Sequence, residues 1–215
     1  MYKKKPFFIV FEGIEGCGKS YQGKKLYNRF KKKGISTVLT REPGGTKSSE
    51  LIRNLILKDY FTKDSKEKFD KYTDTLLYLA ARNEHIKNKI KPALLKKKVV
   101  ICDRFIDSTL AYQVYGKKVE LNFIKNIHKK ILQGIKPNIV FVLKVSNQSS
   151  RKRLKKRKNK NRYDNFAQSF YSKAQNSFIR IAKNKKNYFI FDSSSNDRSL
   201  EHKIFGICKK YLNIK

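Results

Sequence analysis

The chain has 215 residues, enough for one α/β domain that buries a full apolar core without disulfides or a structural metal. Its 52 lysines and arginines against 17 acids give a formal charge of +35, while Cys17, Cys102 and Cys208 are too widely spaced for a Cys-x-x-Cys pair. Those spacings argue against a disulfide framework or zinc site and suit a reducing cytoplasm, and no run approaches the apolar length of a transmembrane helix.

Phe7-Phe8-Ile9-Val10-Phe11 predicts a first strand, too short an apolar run to read with Met1–Lys5 as a secretory leader. Gly13-Ile14-Glu15-Gly16-Cys17-Gly18-Lys19-Ser20 follows, with the spacing of a phosphate-binding P-loop. Inward-pointing N–H groups and the start of the next helix would cradle phosphate, Lys19 would reach the β/γ-phosphates of ATP, and the Ser20 hydroxyl would ligate Mg²⁺. Cys17 either fills space or, at a helix N-terminus, is a low-pKa thiol. A helix is predicted from about 19 to 33, stopped by Gly34, then a strand over Ile35–Thr40 and a turn at Pro43-Gly44-Gly45.

Leu51, Ile52, Leu55 and Ile56 form the apolar stripe of another helix, and a longer one is predicted from about 69 to 90 with Pro92 marking its end. Strands at Val99–Cys102, Ile139–Leu143 and Tyr188–Phe191 alternate with helices near 121–132, 166–183 and 200–211. Apolar strands alternating with helices predict an α/β fold of the P-loop NTPase type: a parallel five-stranded sheet with helices on both faces, spanning 1–215 as a single domain. Ligands of such sheets bind at the carboxyl ends of the strands, where the P-loop, the Arg41–Thr46 turn and Asp103-Arg104 all fall.

The positive charge taken alone suggests a nucleic-acid partner. Lysine is spread through every segment rather than gathered in one stripe, in the company of Asn, Ile, Phe and Tyr, so compositional drift toward AT-rich codons explains it better than a selected nucleic-acid surface. Against that background, acids in or beside the motifs (Glu12, Glu15, Glu42, Asp103, Asp107) carry information.

Phe11-Glu12-Gly13 through Ser20, Thr40-Arg41-Glu42-Pro43-Gly44-Gly45-Thr46, Leu79-Ala80-Ala81-Arg82, and Asp103-Arg104-Phe105 with Ser108-Thr109 and Ala111-Tyr112-Gln113 closely resemble the bacterial thymidylate kinases, in order and over the whole chain. The resemblance implies phosphorylation of dTMP to dTDP with ATP and Mg²⁺, and a cytoplasmic homodimer. It implies that Glu15 approaches the deoxyribose 3′-hydroxyl; a carboxylate beside a phosphate cradle is in any case better explained by a hydroxyl or a metal than by phosphate. Glu42 and Pro43 belong to the acceptor turn. Tyr78, where the family usually has phenylalanine, and Arg82 would form the base pocket, although core packing of the same helix is an alternative.

The resemblance further implies that Asp103 stands on or near the Mg²⁺ shell and Arg104 clamps the acceptor phosphate. Thr109 and Gln113 would contact the nucleoside, and Tyr112 would crowd the ribose 2′ position. The basic stretch from about 147 to 164 falls where the family has a small mobile lid. The P-loop here lacks an arginine, so Arg153 and Arg157 are the candidate lid donors to the transferring phosphoryl group, with Arg162 third, against the alternative of a solvated basic helix. Two rival readings are a deoxynucleoside kinase of related fold and a basic nucleic-acid-binding protein.

Overall fold

The computed structural model describes residues 5–58, 67–156, 167–195 and 199–214. Five strands, β1 (Phe7–Glu12), β2 (Thr37–Arg41), β3 (Val99–Asp103), β4 (Ile139–Lys144) and β5 (Tyr188–Asp192), form one sheet in the order β2-β3-β1-β4-β5. Every pairing is parallel. β1 is buried along its whole length because it lies between β3 and β4 with both faces covered, and this is why its sequence is an unbroken apolar run rather than an alternating one. The edge strand β5 is half exposed.

Helices α1 (Lys19–Lys32), α2 (Lys47–Leu57), α3 (Lys71–His85), α4 (Lys91–Leu95), α5 (Ile106–Thr109), α6 (Leu121–Ile131), α7 (Asn147–Lys155), α8 (Gln168–Ala182) and α9 (Ser199–Leu212) follow in chain order. On one face α1 and α9 cover Phe11, Phe141 and Phe189, with Phe189 edge-on to Tyr211 at 6.0 Å. On the other, Phe8 meets Phe105 at 5.0 Å, and α8 packs on β4, β5 and the segment after α5.

Three local features depart from the sequence reading. Pro92 does not end the long helix. After α3 the chain winds more widely through Ile86–Ile90, where Lys91 N bonds back to Ile86 O, and runs on without a break into α4 with Pro92 as its second residue. Residues Ile106–Gly116, where no helix was predicted, are helical: α5 runs into a π-wound turn, Leu110–Gly116, that turns Ala111, Tyr112 and Gln113 inward. In α2 the stripe is only partly covered, with Ile56 buried but Leu51 and Leu55 exposed.

α7 occupies the start of the basic stretch and is capped by the Ser146 hydroxyl, which accepts from Ser149 N. Arg157 and Arg162, and with them much of the predicted lid, lie outside the described residues.

Candidate active site

The P-loop joins β1 to α1 at the carboxyl edge of the sheet. Gly18 is the N-cap of α1 at φ 91°, a left-handed conformation that few L side chains adopt, and a Cβ on Gly13 would run into the Leu143 carbonyl. Lys19 is buried within the loop it serves, its Nζ donating to the Ile14 carbonyl at 2.8 Å and lying 3.6 Å from Cys17 Sγ. Burial pushes the Cys17 thiol above its ordinary range and outweighs the Lys19 charge beside it, so the low-pKa alternative does not hold.

β3 ends beside β1, with Phe11 and Asp103 paired in register, and this delivers the Asp103 carboxylate to the P-loop. The Ser20 hydroxyl donates to Asp103 Oδ2. A hydroxyl next to a carboxylate is the hard oxygen pair that suits Mg²⁺, an ion that keeps waters and phosphate oxygens as its remaining ligands.

The next residue, Arg104, has φ 73° and swings its side chain back over the loop. Nη1 donates to Gly13 O at 2.9 Å and Ser108 Oγ at 3.1 Å, and Nη2 to Glu15 Oε1 at 2.7 Å. The other Glu15 oxygen accepts from the Tyr112 hydroxyl at 2.6 Å, and the guanidinium lies 5.2 Å from the Tyr112 ring centre. Burial works against the charge of Arg104, but Tyr112, Glu15, Asp103 and Glu12 outweigh it and hold its pKa well above the ordinary arginine value.

A cavity of about 650 Å³ opens from this point. It is lined by Glu15, Gly16, Gly18, Lys19 and Ser20 on the loop side, and by Asp103, Arg104, Tyr112 and Arg153 around the junction. Glu42, Pro43, Tyr78, Arg82, Thr109 and Gln113 line the far part. Gly13, Ile14 and Cys17 do not line it and are buried.

Arg82, 3% exposed, sits at the far end with four of its five N–H donors bound inside the protein. Nε donates to Glu42 Oε2 at 2.7 Å, Nη1 to Thr109 Oγ1 and His128 Nε2, and Nη2 to Phe105 O, the last three all at 2.8 Å. Glu42 also receives His85 Nδ1 at 3.1 Å, and His85 Nε2 lies 2.6 Å from the Thr40 hydroxyl. Burial works to raise the Glu42 pKa, but Arg82 and His85 outweigh it and hold it below the usual carboxylate range. Burial and then the Arg82 charge push His128 down to about 3, leaving a neutral ring whose nitrogen can accept. Gln113 is 2% exposed, and its Nε2 meets no partner among the described residues.

Arg153 lies on the cavity wall bound to main-chain carbonyls, Gly16 at 3.1 Å, Ser193 at 2.7 Å and Ser194 at 3.2 Å, so it ties α7 to the P-loop and to the segment after β5. Sequence reading missed Arg53, which lines the cavity from α2 and donates to Pro43 O at 2.5 Å. It also missed His85 and His128, and named Ser108 only as part of a motif, without a role. An arginine beside an apolar stripe was the signal available for Arg53. A lone histidine on an amphipathic helix gives none.

A strand, an anion-binding loop and a helix on a parallel sheet, with a second basic pocket across a cleft from the loop, define a P-loop nucleotide kinase. The thymidylate kinase family model matches residues 11–204. A thymidylate kinase of Wolbachia sp. subsp. Brugia malayi (strain TRS) is 44% identical over 181 residues, 83% of this chain and 82% of the relative. One from Sulfurihydrogenibium sp. (strain YO3AOP1) is 37% identical over 92% of this chain and 94% of its own length. The crystal structure of thymidylate kinase from Ehrlichia chaffeensis superposes with a TM-score of 0.74 at 30% identity, covering 95% of this chain and 99% of that one. The chain belongs to the thymidylate kinase family.

Proposed function

We propose that the protein transfers the γ-phosphoryl group of ATP to the 5′-phosphate of dTMP, yielding dTDP for dTTP synthesis. The observation that carries this reading is that Arg104 lines the same cavity as the P-loop and Arg82. A cleft with a phosphate cradle on one side, Tyr78, Arg82, Thr109 and Gln113 on its wall, and the Arg104 guanidinium lining it as well fits a nucleoside monophosphate acceptor. A nucleoside acceptor would give Arg104 no phosphate to meet, which weighs against a deoxynucleoside kinase.

In this reading Gly13–Ser20 bind the ATP phosphates and Lys19 follows charge onto the β/γ-oxygens. Ser20 and Asp103 would hold Mg²⁺, which supplies charge neutralisation at the phosphates when bound. Arg104 clamps the acceptor phosphate and Glu15 takes the 3′-hydroxyl. The remaining N–H of Arg82, with Thr109 and Gln113, reads the base against the Tyr78 ring, and Tyr112 crowds the 2′ position. Glu42 and Pro43 enter as the wall that holds Arg82 and Arg53. Arg153 and Arg157 supply positive charge to the transferring group, Arg153 while bracing the loop at Gly16. Transfer then rests on positioning and electrostatics, with no covalent enzyme intermediate.

A homodimer in the cytoplasm accompanies this function. Leu51 and Leu55 on α2 and Leu76 on α3, the helix packed against it, are each exposed, apolar surface of the kind that a second copy would cover. Among the described residues no helix is long and apolar enough to cross a membrane. Coupled ADP release with dTMP, dUMP, dCMP, dGMP and thymidine as acceptors tests the proposal. Turnover with dTMP well above that with dCMP, dGMP or thymidine is expected. Preference for thymidine would replace it with nucleoside phosphorylation, and polynucleotide binding of steep salt dependence without phosphotransfer would replace it with the nucleic-acid reading.

A further inference from the structure

We propose that Glu12 is a positioning residue for the acceptor clamp, setting through Ser108 the orientation in which Arg104 meets the acceptor phosphate. The inference rests on the function proposed above.

Glu12 closes β1 and is wholly buried, in a chain with only 17 acids. Such a carboxylate is costly unless its oxygens are bonded, and each of them is. Oε1 accepts from Phe105 N at 2.8 Å and Ser108 N at 3.3 Å, while Oε2 accepts from Ser108 Oγ at 2.7 Å. These bonds hold Phe105 and Ser108, the segment that directly follows Arg104, which itself lies in the left-handed region at φ 73°.

The arrangement does more than hold that segment. Ser108 Oγ, by donating its proton to Glu12, keeps its lone pairs for Arg104 Nη1, whose other bond goes to the carbonyl of Gly13, the residue after Glu12. One end of the guanidinium is thus fixed to the Glu12-Gly13 junction, and the Nη2 end faces Glu15 and the cavity. The donor loop and the acceptor clamp share this anchor. Asp107 from α5 and Arg104 are the charged groups that act on Glu12, and Asp107 in turn faces Lys185, Tyr188 and Arg82. An amide at position 12 would donate to Ser108 Oγ instead of accepting, and would compete with Arg104 for the same oxygen.

The test uses the full chain at pH 8, where the Glu12 carboxylate is ionised. Steady-state constants for ATP and dTMP, and calorimetric binding of dTMP and thymidine, are measured for wild type, E12Q, S108A and the double variant. E12Q and S108A should each raise the KM for dTMP about tenfold, the loss expected for a hydrogen bond in a charged network. The KM for ATP and the affinity for thymidine, which carries no phosphate, should stay near wild type. The double variant should lose no more than the worse single one, because both act along one relay.

A folded E12Q with wild-type dTMP binding would overturn the proposal, as would equal losses for thymidine and dTMP or single effects that multiply. If E12Q fails to fold, S108A decides by the same constants, and an unchanged KM for dTMP overturns the relay. Wild-type turnover of dTMP tests the underlying function separately. Its absence sinks both readings, whereas an active wild type with an indifferent E12Q sinks this one alone.

Discussion

Arg82 Nε lies 2.7 Å from Glu42 Oε2 in an ion pair whose side chains are 3% and 4% exposed, so a pocket residue is also a structural one. Removing one partner of a buried pair strands the other charge, at a cost of about 3–5 kcal/mol. Arg82→Ala should therefore both destabilise the fold by that order and raise the KM for dTMP far more than that for ATP. Urea unfolding and separate KM measurements check the two effects. A stable variant with equal loss for both nucleotides would remove Arg82 from the acceptor pocket.

Lys19 makes its bonds to its own loop, donating to Ile14 O at 2.8 Å, and among the described residues it has no acidic salt-bridge partner to strand. Lys19→Ala should leave unfolding within about 1 kcal/mol of wild type. Its turnover should fall by at least roughly 10²–10³-fold, since the contact matters most as charge moves onto the γ-phosphoryl group. Single-turnover transfer under saturating nucleotides measures this. A folded variant with wild-type turnover would refute the loop mechanism.

The backbone of the site was legible in the sequence because backbone constraints leave a residue signature: glycines where the loop needs unusual φ, continuous apolar runs where a strand is covered on both faces, and an acid where β3 ends. Helical turns set by tertiary packing left no such mark. Ile106, Leu110 and Val114 stand four apart in Ile106–Gly116, but so short an apolar period does not foretell the π-wound turn, which forms as Phe105, Ala111 and Tyr112 are drawn into the core. The partners of Arg82 were likewise invisible. Glu42, Thr109 and His128 come from three segments, up to 46 residues from Arg82, and only the packed sheet brings them to one guanidinium.

Glu12 also gives a pH signature. Burial, then the Asp107 charge, push its pKa from 4.5 up to about 7. A carboxyl whose folded pKa is raised binds its proton more tightly when folded, so wild-type stability from this group is present below about pH 4.5 and is lost as pH rises to about 7. Glu12→Gln does not titrate. Its stability relative to wild type should therefore climb between pH 4.5 and 7.5, by on the order of 3 kcal/mol if Glu12 titrates alone. Urea unfolding of both proteins across that range tests the sign. A gap that stays constant or narrows would show that Glu12 is ionised throughout.

Arg153 is the one candidate lid arginine among the described residues, and its bonds to Gly16, Ser193 and Ser194 span two loops that a nucleotide on the P-loop would approach. Arg153→Ala should lower the turnover number by about 10²-fold, the scale of losing one well-placed donor to a developing charge. A few-fold rise in the KM for ATP should accompany it, because the loop also loses its brace. Arg153→Lys separates charge from geometry. Lysine keeps the charge but not the planar fork that reaches both segments, and positive charge is already abundant along α7, so rescue should be poor. Single-turnover transfer at saturating ATP and dTMP measures the chemistry apart from binding. Full rescue by lysine would mean that charge alone suffices, and wild-type transfer by the alanine variant would make Arg157 the next residue to test.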